Sequence, residues 1–368
     1  MERAYWVAWS SIKAVGPVLI KRLQDRFGSL QAAWQVSVSE LLSVDGIGLS
    51  LADQIGRVRS QLQPQQLLDQ YEARQANFWT PADRDYPVLL RQIADPPPVL
   101  YYRGPLRPNS RPGIIVSVVG TRRPSDYGRR WTQCLSACLG RHQITVVSGM
   151  AAGVDTYAHK SCLDHSGPTI AVLGTGIDVV YPSHNHRLYG RLLETGLILS
   201  EYPNGTAPHR GHFPRRNRII AGLSHVTLVT EAPERSGALI TAYLANDYGR
   251  DVYALPGGLD SPQSKGCLQL ASRGAALVLG EESLLQMLTE RFGSLPTQIE
   301  RLSTPSSPGT EIAPALASLL TQIPHSPTSL DRLIQLTQLD TATLLSQLSQ
   351  LEIVGLVTCL PGSQYQRL

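Results

Sequence analysis

No stretch of this chain stays apolar for the roughly 18 residues that a bilayer-spanning helix needs, so no membrane span is expected. The opening residues, MERAYWVAWSSIKAVGPVLI, also lack the layout of a secretion signal, because serines and Lys13 interrupt the apolar run. The expected location is the cytoplasm. Cysteine is scarce. Cys134 and Cys138 lie one helical turn apart, but Cys162, Cys267 and Cys359 supply no second pair to complete a zinc set. All five read as ordinary buried thiols, and no metal is expected. Charged residues make up only 17% of the 368 positions against 42% hydrophobic, the balance of a folded soluble protein of two or three domains. A net charge of +4 permits an anionic partner without requiring one.

Two nucleotide signatures are missing as well. There is no G-x-x-x-x-G-K-[ST] run, so no Walker-type ATP site is indicated. Gly174-Thr175-Gly176 lacks the third glycine of a dinucleotide fingerprint, and Asp178 follows too soon to serve as its ribose-binding acid. A nicotinamide cofactor is excluded, and no other cofactor is expected.

The pattern along the chain divides it. Residues 1–75 read as a small helical domain resembling helix-hairpin-helix and SAM-like folds. In it Gly46-Ile47-Gly48 forms either a tight helix–helix turn or a backbone cradle for a phosphate. Residues 76–112 are a connector in which Pro96-Pro97-Pro98 must run extended. Residues 113–291 alternate short β-branched runs (IIVSVVG, ITVVSG, TIAVLGTG, GLILSEY, HVTLVTEA, RDVYALPG, AALVLG) with helical segments. Continuous hydrophobicity marks strands buried on both faces. The expected fold is α/β, an extended Rossmann-like, doubly wound and mostly parallel sheet. Residues 292–309 form a Pro/Ser-rich linker, and 310–368 show three helices and a hairpin, a winged helix.

In open α/β sheets ligands gather beyond the carboxyl ends of the strands. Here those ends carry Gly120-Thr121-Arg122, Ser148-Gly149 with Gly153 opening the next helix, Gly174 with Gly176, and Ser236-Gly237. Glycine admits a phosphate to the backbone, and a following helix N-terminus offers free N–H groups. Between Tyr202 and Thr230 there is no Asp or Glu, but there are Arg210, Arg215, Arg216 and Arg218, with His209, His212 and His225. A solvated charged face is the plain alternative. Several phosphate-sized turns on one rim favour an anion, and a string of pockets suits single-stranded nucleic acid better than one nucleotide.

These same residues carry a family resemblance. VVGTRRPSDYG, VVSGMAAGVDTYAH, IAVLGTGIDVVYP, LSEYPNGTAPHRGHFPRRNRIIAGLS and EAPERSGALITA, with GRDVYALPG and the tail, resemble the DprA/Smf family over nearly the whole chain. The resemblance implies a single-stranded DNA-binding protein of natural transformation that protects incoming strands, forms homodimers, loads the RecA recombinase and has no enzymatic activity. Carried over by motif, the DNA-binding positions are Arg122, Ser148, Gly149, Gly174, Gly176, Arg216, Asn217, Arg218, Ser236 and Gly237. Many relatives place a lysine just after the Tyr-Pro pair. Here Tyr181-Pro182 is followed by Ser183-His184-Asn185-His186-Arg187. Histidine is mostly neutral near pH 7. Arg187 is the candidate replacement cation; without it, binding there is expected to be weaker, or to strengthen as pH falls.

The rival reading is an enzyme resembling nucleotide phosphoribohydrolases. It needs a carboxylate placed after the Ser236-Gly237 turn, and no acid follows until Asp247. Glu201 and Glu231, each ending a strand, either orient arginines or act as catalytic acids. Asp155 and His159 lie one turn apart without a third metal ligand and read as a salt bridge or hydrogen bond at a helix end. In the tail, DTATLLSQLSQLE contains no Lys or Arg, so packing or protein contact is expected of it rather than duplex reading. Leu344, Leu345, Leu348 and Leu351 recur at helical spacing as that module's core.

Overall fold

The computed structural model describes residues 1–74, 77–109, 113–293, 314–324, 326–353, 356–360 and 364–367. The linker read at 292–309 lies outside these from residue 294 onward, as does the wing turn Pro361-Gly362-Ser363. The chain forms two compact units, Met1–Ile299 and Glu300–Leu368.

The first unit opens with helices α1 (Glu2–Ser11), α2 (Pro17–Phe27), α3 (Leu30–Gln35), α4 (Val38–Leu41), α5 (Leu49–Gln61) and α6 (Pro64–Ala73). Local chemistry sets their ends. Pro17 occupies the first position of α2, where its missing N–H costs nothing, and Gly28 at φ 78° stops that helix in the left-handed conformation. Ser29 caps α3, and Ser37 with Glu40 makes a reciprocal capping box on α4. Trp6, Trp9, Ile20, Leu23, Leu30 and Ile55 fill the core between them.

Next come β1 (Phe78–Trp79), a short α7 (Val88–Arg91) and β2 (Leu100–Arg103). The stretch expected to be only a connector therefore extends the sheet. Phe78 pairs with Tyr101, and Tyr101 pairs antiparallel with Ser200. The three prolines lie between α7 and β2, where the Tyr86 hydroxyl donates to the Pro97 carbonyl at 3.0 Å.

The remaining elements alternate: β3 (Ile115–Gly120), α8 (Asp126–Arg141), β4 (Thr145–Ser148), α9 (Val154–Asp164), β5 (Thr169–Leu173), α10 (His186–Thr195), β6 (Leu197–Ser200), α11 (His212–Gly222), β7 (Val226–Glu231), α12 (Gly237–Asp247), β8 (Asp251–Ala254), α13 (Lys265–Ser272), β9 (Ala276–Leu277) and α14 (Glu281–Phe292). All seven β-branched runs are strands, and the nine-stranded sheet has the order β1-β2-β6-β5-β4-β3-β7-β8-β9. From β6 to β9 every pairing is parallel.

Both faces are covered, which is why the runs are continuously apolar. Val147, Ile170, Val172 and Leu199 pack on one side against Ile219, Ile220 and Leu239 of α11 and α12. Val116, Val118 and Val146 pack on the other against Leu135, Leu139, Ala158 and Leu284 of α8, α9 and α14. The order reverses at β3, which lies between β4 and β7. The crevice beyond its carboxyl end is the topological switch point.

The second unit contains α15 (Pro314–Gln322), β10 (Thr328–Ser329), α16 (Leu330–Thr337), α17 (Thr341–Ile353), β11 (Val357–Leu360) and β12 (Gln364–Arg367), with strand order β10-β12-β11. This is a winged helix. Leu344, Leu348 and Leu351 are fully buried, but Leu345, expected beside them, is 36% exposed, on the outer side of α17.

The two-sided core makes a graded prediction. Leu135→Ala, at a fully buried site, should cost about 2–5 kcal/mol in urea unfolding. Leu259→Ala, at a site 79% exposed, should change stability by less than about 0.5 kcal/mol. Equal midpoints for the two variants would contradict the packing described.

Candidate functional site

A cavity of about 670 Å³ opens at the switch point, between the end of β3, the start of α11 and the β7–α12 turn. Its lining brings together Gly120, Thr121, Arg122, Arg216, Asn217, Ser236 and Gly237 from the expected set. It adds residues the sequence reading left out of that set, namely Arg210, Arg235, Tyr181 and Phe213. Four arginines thus face one carboxylate, Asp155.

The arginines differ sharply in setting. Arg122, Arg210 and Arg235 are exposed. The Arg122 guanidinium lies 5.3 Å from the centre of the Phe213 ring. Tyr181, 40% exposed, lies against Phe213 with ring centres 5.5 Å apart. Arg216 is only 3% exposed. Its Nη1 donates to the Gly149 carbonyl at 2.7 Å and to the Val172 carbonyl, so it bridges the ends of β4 and β5. Burial pushes its pKa down to about 10, with Asp155 pulling the other way, and it stays charged at neutral pH. Asp155 is itself buried, which raises its pKa against the pull of Arg216 and a hydrogen bond from the Ala151 N–H at 3.3 Å.

Arg218 requires a correction. It was expected to touch the ligand, but it lies across α11 from the cavity. Its guanidinium is paired with Glu201 and donates to the Asp95 carbonyl at 2.7 Å, fastening the stretch before β2 to the helix. Its charge is compensated by Glu201 and its side chain is buried away from the cavity lining. Arg215 is exposed but lies outside the cavity lining, as do His184 and Arg187.

Most of the glycines also serve the fold rather than a ligand. A Cβ on Gly149 would fall inside the Arg216 guanidinium. One on Gly120 would lie 2.6 Å from a Val154 methyl, one on Gly153 2.5 Å from the Thr121 carbonyl oxygen, and one on Gly176 2.6 Å from the Pro203 carbonyl oxygen. A Cβ on Gly174 would lie 3.0 Å from the Phe213 ring. Ser148 is buried, its hydroxyl donating to the Val118 carbonyl at 2.7 Å. Gly237, at the start of α12, has nothing within 4 Å of its would-be Cβ. Ser236 caps that helix, and Asn217 donates to the Gly237 carbonyl at 3.3 Å. Here the backbone does stand open to the cavity.

The candidate acids are accounted for. Glu201 orients Arg218. Glu231 accepts from the Ser125 N–H at 2.8 Å and the Ser125 hydroxyl at 2.5 Å, a carboxylate at the positive end of α8. Its two oxygens are committed to that helix. His159 is fully buried with Nδ1 2.7 Å from the Thr169 hydroxyl. Burial and the nearby Arg216 charge push it down to about 3, so it is neutral in the folded protein. Cys138, Cys162 and Cys267 are buried, and Cys134 is half-buried, donating to Glu281 at 2.7 Å. The Cys359 side chain lies outside the description. Among the described residues no group of His, Cys, Asp and Glu could hold a metal, and no helix is long and apolar enough to cross a membrane.

His159 yields a prediction whose sign is fixed. Its folded pKa, about 3, lies below its unfolded value, so the unfolded chain takes up the extra proton. The stability it contributes is complete above about pH 6.5 and is lost as pH falls toward 3, by about 1.4 kcal/mol per unit. Asp155, whose pKa is raised, opposes this only where its own folded form binds the extra proton. Urea unfolding at pH 7 and pH 4.5 should show His159→Gln losing less stability on acidification than the parent; equal losses would contradict a neutral buried imidazole.

Comparison with known proteins identifies the scaffold. Residues 77–289 match the family model described as DNA recombination-mediator protein A, and residues 303–363 match the DprA winged helix domain. Protein Smf of Synechocystis sp. is 44% identical across 100% of this chain and 99% of its own length. The X-ray structure of DNA processing protein A from Streptococcus pneumoniae superposes with a TM-score of 0.66 at 32% identity, over 78% of this chain and 97% of that one. DNA processing protein A from Helicobacter pylori, whose structure is described for its single-stranded DNA binding mode, superposes with a TM-score of 0.54 at 31% identity, over 59% of this chain and 97% of that one. The chain belongs to the DprA/Smf family of DNA recombination-mediator proteins.

Proposed function

We propose that this protein binds single-stranded DNA across the switch-point cavity, without catalysing a reaction on it. The observation that carries the reading is the cavity lining, with Arg122, Arg210 and Arg235 exposed around the Tyr181–Phe213 pair. Guanidinium groups neutralise backbone phosphates, and an aromatic face accepts any base by stacking. The open turn at Gly237 offers the Gly237 N–H at the start of α12, the Ala238 and Leu239 N–H groups being taken by Ser236. A duplex keeps its bases stacked inside and cannot use the aromatic pair, so single strands are preferred. The commitment of Glu231 to Ser125 supports the absence of hydrolysis, since no acid follows the Ser236-Gly237 turn until Asp247. In the cell, the protein would protect incoming strands in the cytoplasm during natural transformation, act as a homodimer and load the RecA recombinase onto the strand.

The exposed and buried arginines separate the reading from a generic basic surface. Arg122→Ala, Arg210→Ala and Arg235→Ala should each weaken binding to all sequences and reduce the slope of log affinity against log salt by about 0.7. Arg218→Met should leave the slope unchanged in whatever fraction remains folded. Unaltered affinity of a folded triple variant at positions 122, 210 and 235 would sink the proposal, as would equal affinity for duplex and single strand of the same length.

The winged helix is assigned a role other than holding the strand. Arg332 and Arg367 are the permanent cations of residues 310–368. Arg332 donates to Gln335 at 3.1 Å, and Arg367 donates to the Leu320 carbonyl at 3.2 Å. So little positive charge gains little from counterion release. Protein truncated after Ser307 should keep most of its single-strand affinity; a loss beyond about tenfold, or roughly 1.4 kcal/mol, would assign DNA binding to the tail.

A further inference from the structure

A strand held in the switch-point cavity has two ways out along the rim of strand ends, and they differ in charge. One leads past β7 to the end of β8. Residues 231–237 and 255–266 there carry Glu231, Glu234 and Asp260 against Arg235 and Lys265. The other leads past β4 to the ends of β5 and β6. Residues 174–187 and 201–215 there carry Arg187, Arg210 and Arg215 against Asp178 and Glu201. Both of these acids are engaged. Glu201 is paired with Arg218, and Asp178 accepts from the Gly205 N–H at 2.8 Å. An anionic chain is favoured at the second exit over the first.

The second exit also offers rings. Tyr202 is stacked on His212, with ring centres 4.0 Å apart and 21° between the planes, and His209 stands against His212 at 5.1 Å. Tyr202 and His212 are half-buried, and His209 is exposed. The group adjoins the cavity, because His209 and His212 are chain neighbours of Arg210 and Phe213, which line it. The rings are held in place before anything binds. The His212 Nδ1 lies 3.2 Å from the Gly174 carbonyl, an acceptor, and so donates its proton there. The loop bearing Tyr202 is tied to the strand ends by Asp178 and by the Gly176 N–H, which donates to the Thr206 carbonyl at 3.0 Å. Fixed rings lose little freedom when a base stacks on them. Burial raises the Tyr202 pKa, and the charge of the exposed Arg215 is near enough to oppose that rise.

We propose that a bound single strand leaves the cavity toward β6, laying its next base on the Tyr202–His212–His209 group with a phosphate at Arg215. The inference rests on the reading of the cavity as a single-strand site. The test is fluorescence anisotropy of the full chain with labelled oligothymidines of increasing length. The shortest that binds reports the cavity, and the gain on lengthening reports the exit. His209→Ala should remove roughly fivefold or more of that gain, the worth of one stacked base, and leave the shortest oligonucleotide unaffected. His209→Phe also loses the contact from the Gly211 N–H but keeps a ring, and should retain the gain. Arg215→Ala should lower the salt slope by about 0.7 for the long oligonucleotide alone. A gain unchanged in His209→Ala, lost equally in His209→Phe, or lost instead in Lys265→Ala would each overturn the proposal. If Arg122→Ala weakens both lengths while His209→Ala alters neither, the cavity reading stands and the exit is wrong. If the parent binds no length, both readings fall.

Discussion

The buried guanidinium of Arg216 is the constraint around which the switch point is built. It reaches under α11 to the carbonyls of Gly149 and Val172, tying the carboxyl ends of β4 and β5 to the helix that crosses them. A buried cation is tolerated only when it is paired and hydrogen-bonded, and Asp155 at the start of α9 supplies the counter-charge. The requirement propagates. Gly149 must lack a side chain because the guanidinium occupies that space. His159, one turn further along α9, remains neutral partly because the Arg216 charge is close.

The opposite side of α11 performs a second fastening. At 3.6 residues per turn, successive positions rotate by roughly 100°, so Arg216 and Arg218 point to different neighbours. Arg218 takes Glu201 and the Asp95 carbonyl, joining the end of β6 to the chain that leads into β2. One short basic segment thus holds both the parallel strand ends and the antiparallel extension. Arg215, between these two directions, is left exposed.

This geometry explains what could be read from the sequence. Seven strands were legible because each shows as a continuous apolar run, and β3 to β7 are buried on both faces, though β9 at the sheet edge is exposed. β1 and β2 were not, because β1 pairs antiparallel with β2, and β2 joins the sheet through β6, about a hundred residues further along the chain. The three prolines announced extended chain but not its partner. The basic segment was legible as cationic but was not sorted by direction, although helical rotation would have set Arg215, Arg216 and Arg218 apart. Arg235 was overlooked beside the Ser236 cap it precedes, and Phe213 and Tyr181 gave no local signal of their convergence. The strand-end glycines were legible, but their packing was not, since close protein packing and ligand approach both require a missing Cβ.

The balance of charge at the cavity floor then divides the work of binding. Arg216 and Asp155 nearly cancel, so the floor contributes shape and fixed dipoles more than net attraction. The field that draws an anion must come from Arg122, Arg210 and Arg235 at the solvent boundary, where a Debye length of about 8 Å at physiological salt limits their reach. A ligand held this way is gathered by screened charges and then fixed by unscreened contacts, the aromatic pair and the Gly237 N–H. A polymer with a repeating phosphate satisfies both demands at once, because each phosphate that leaves the rim is replaced by its neighbour. A lone nucleotide would have to meet them with a single anionic group, and nothing in the lining closes over it.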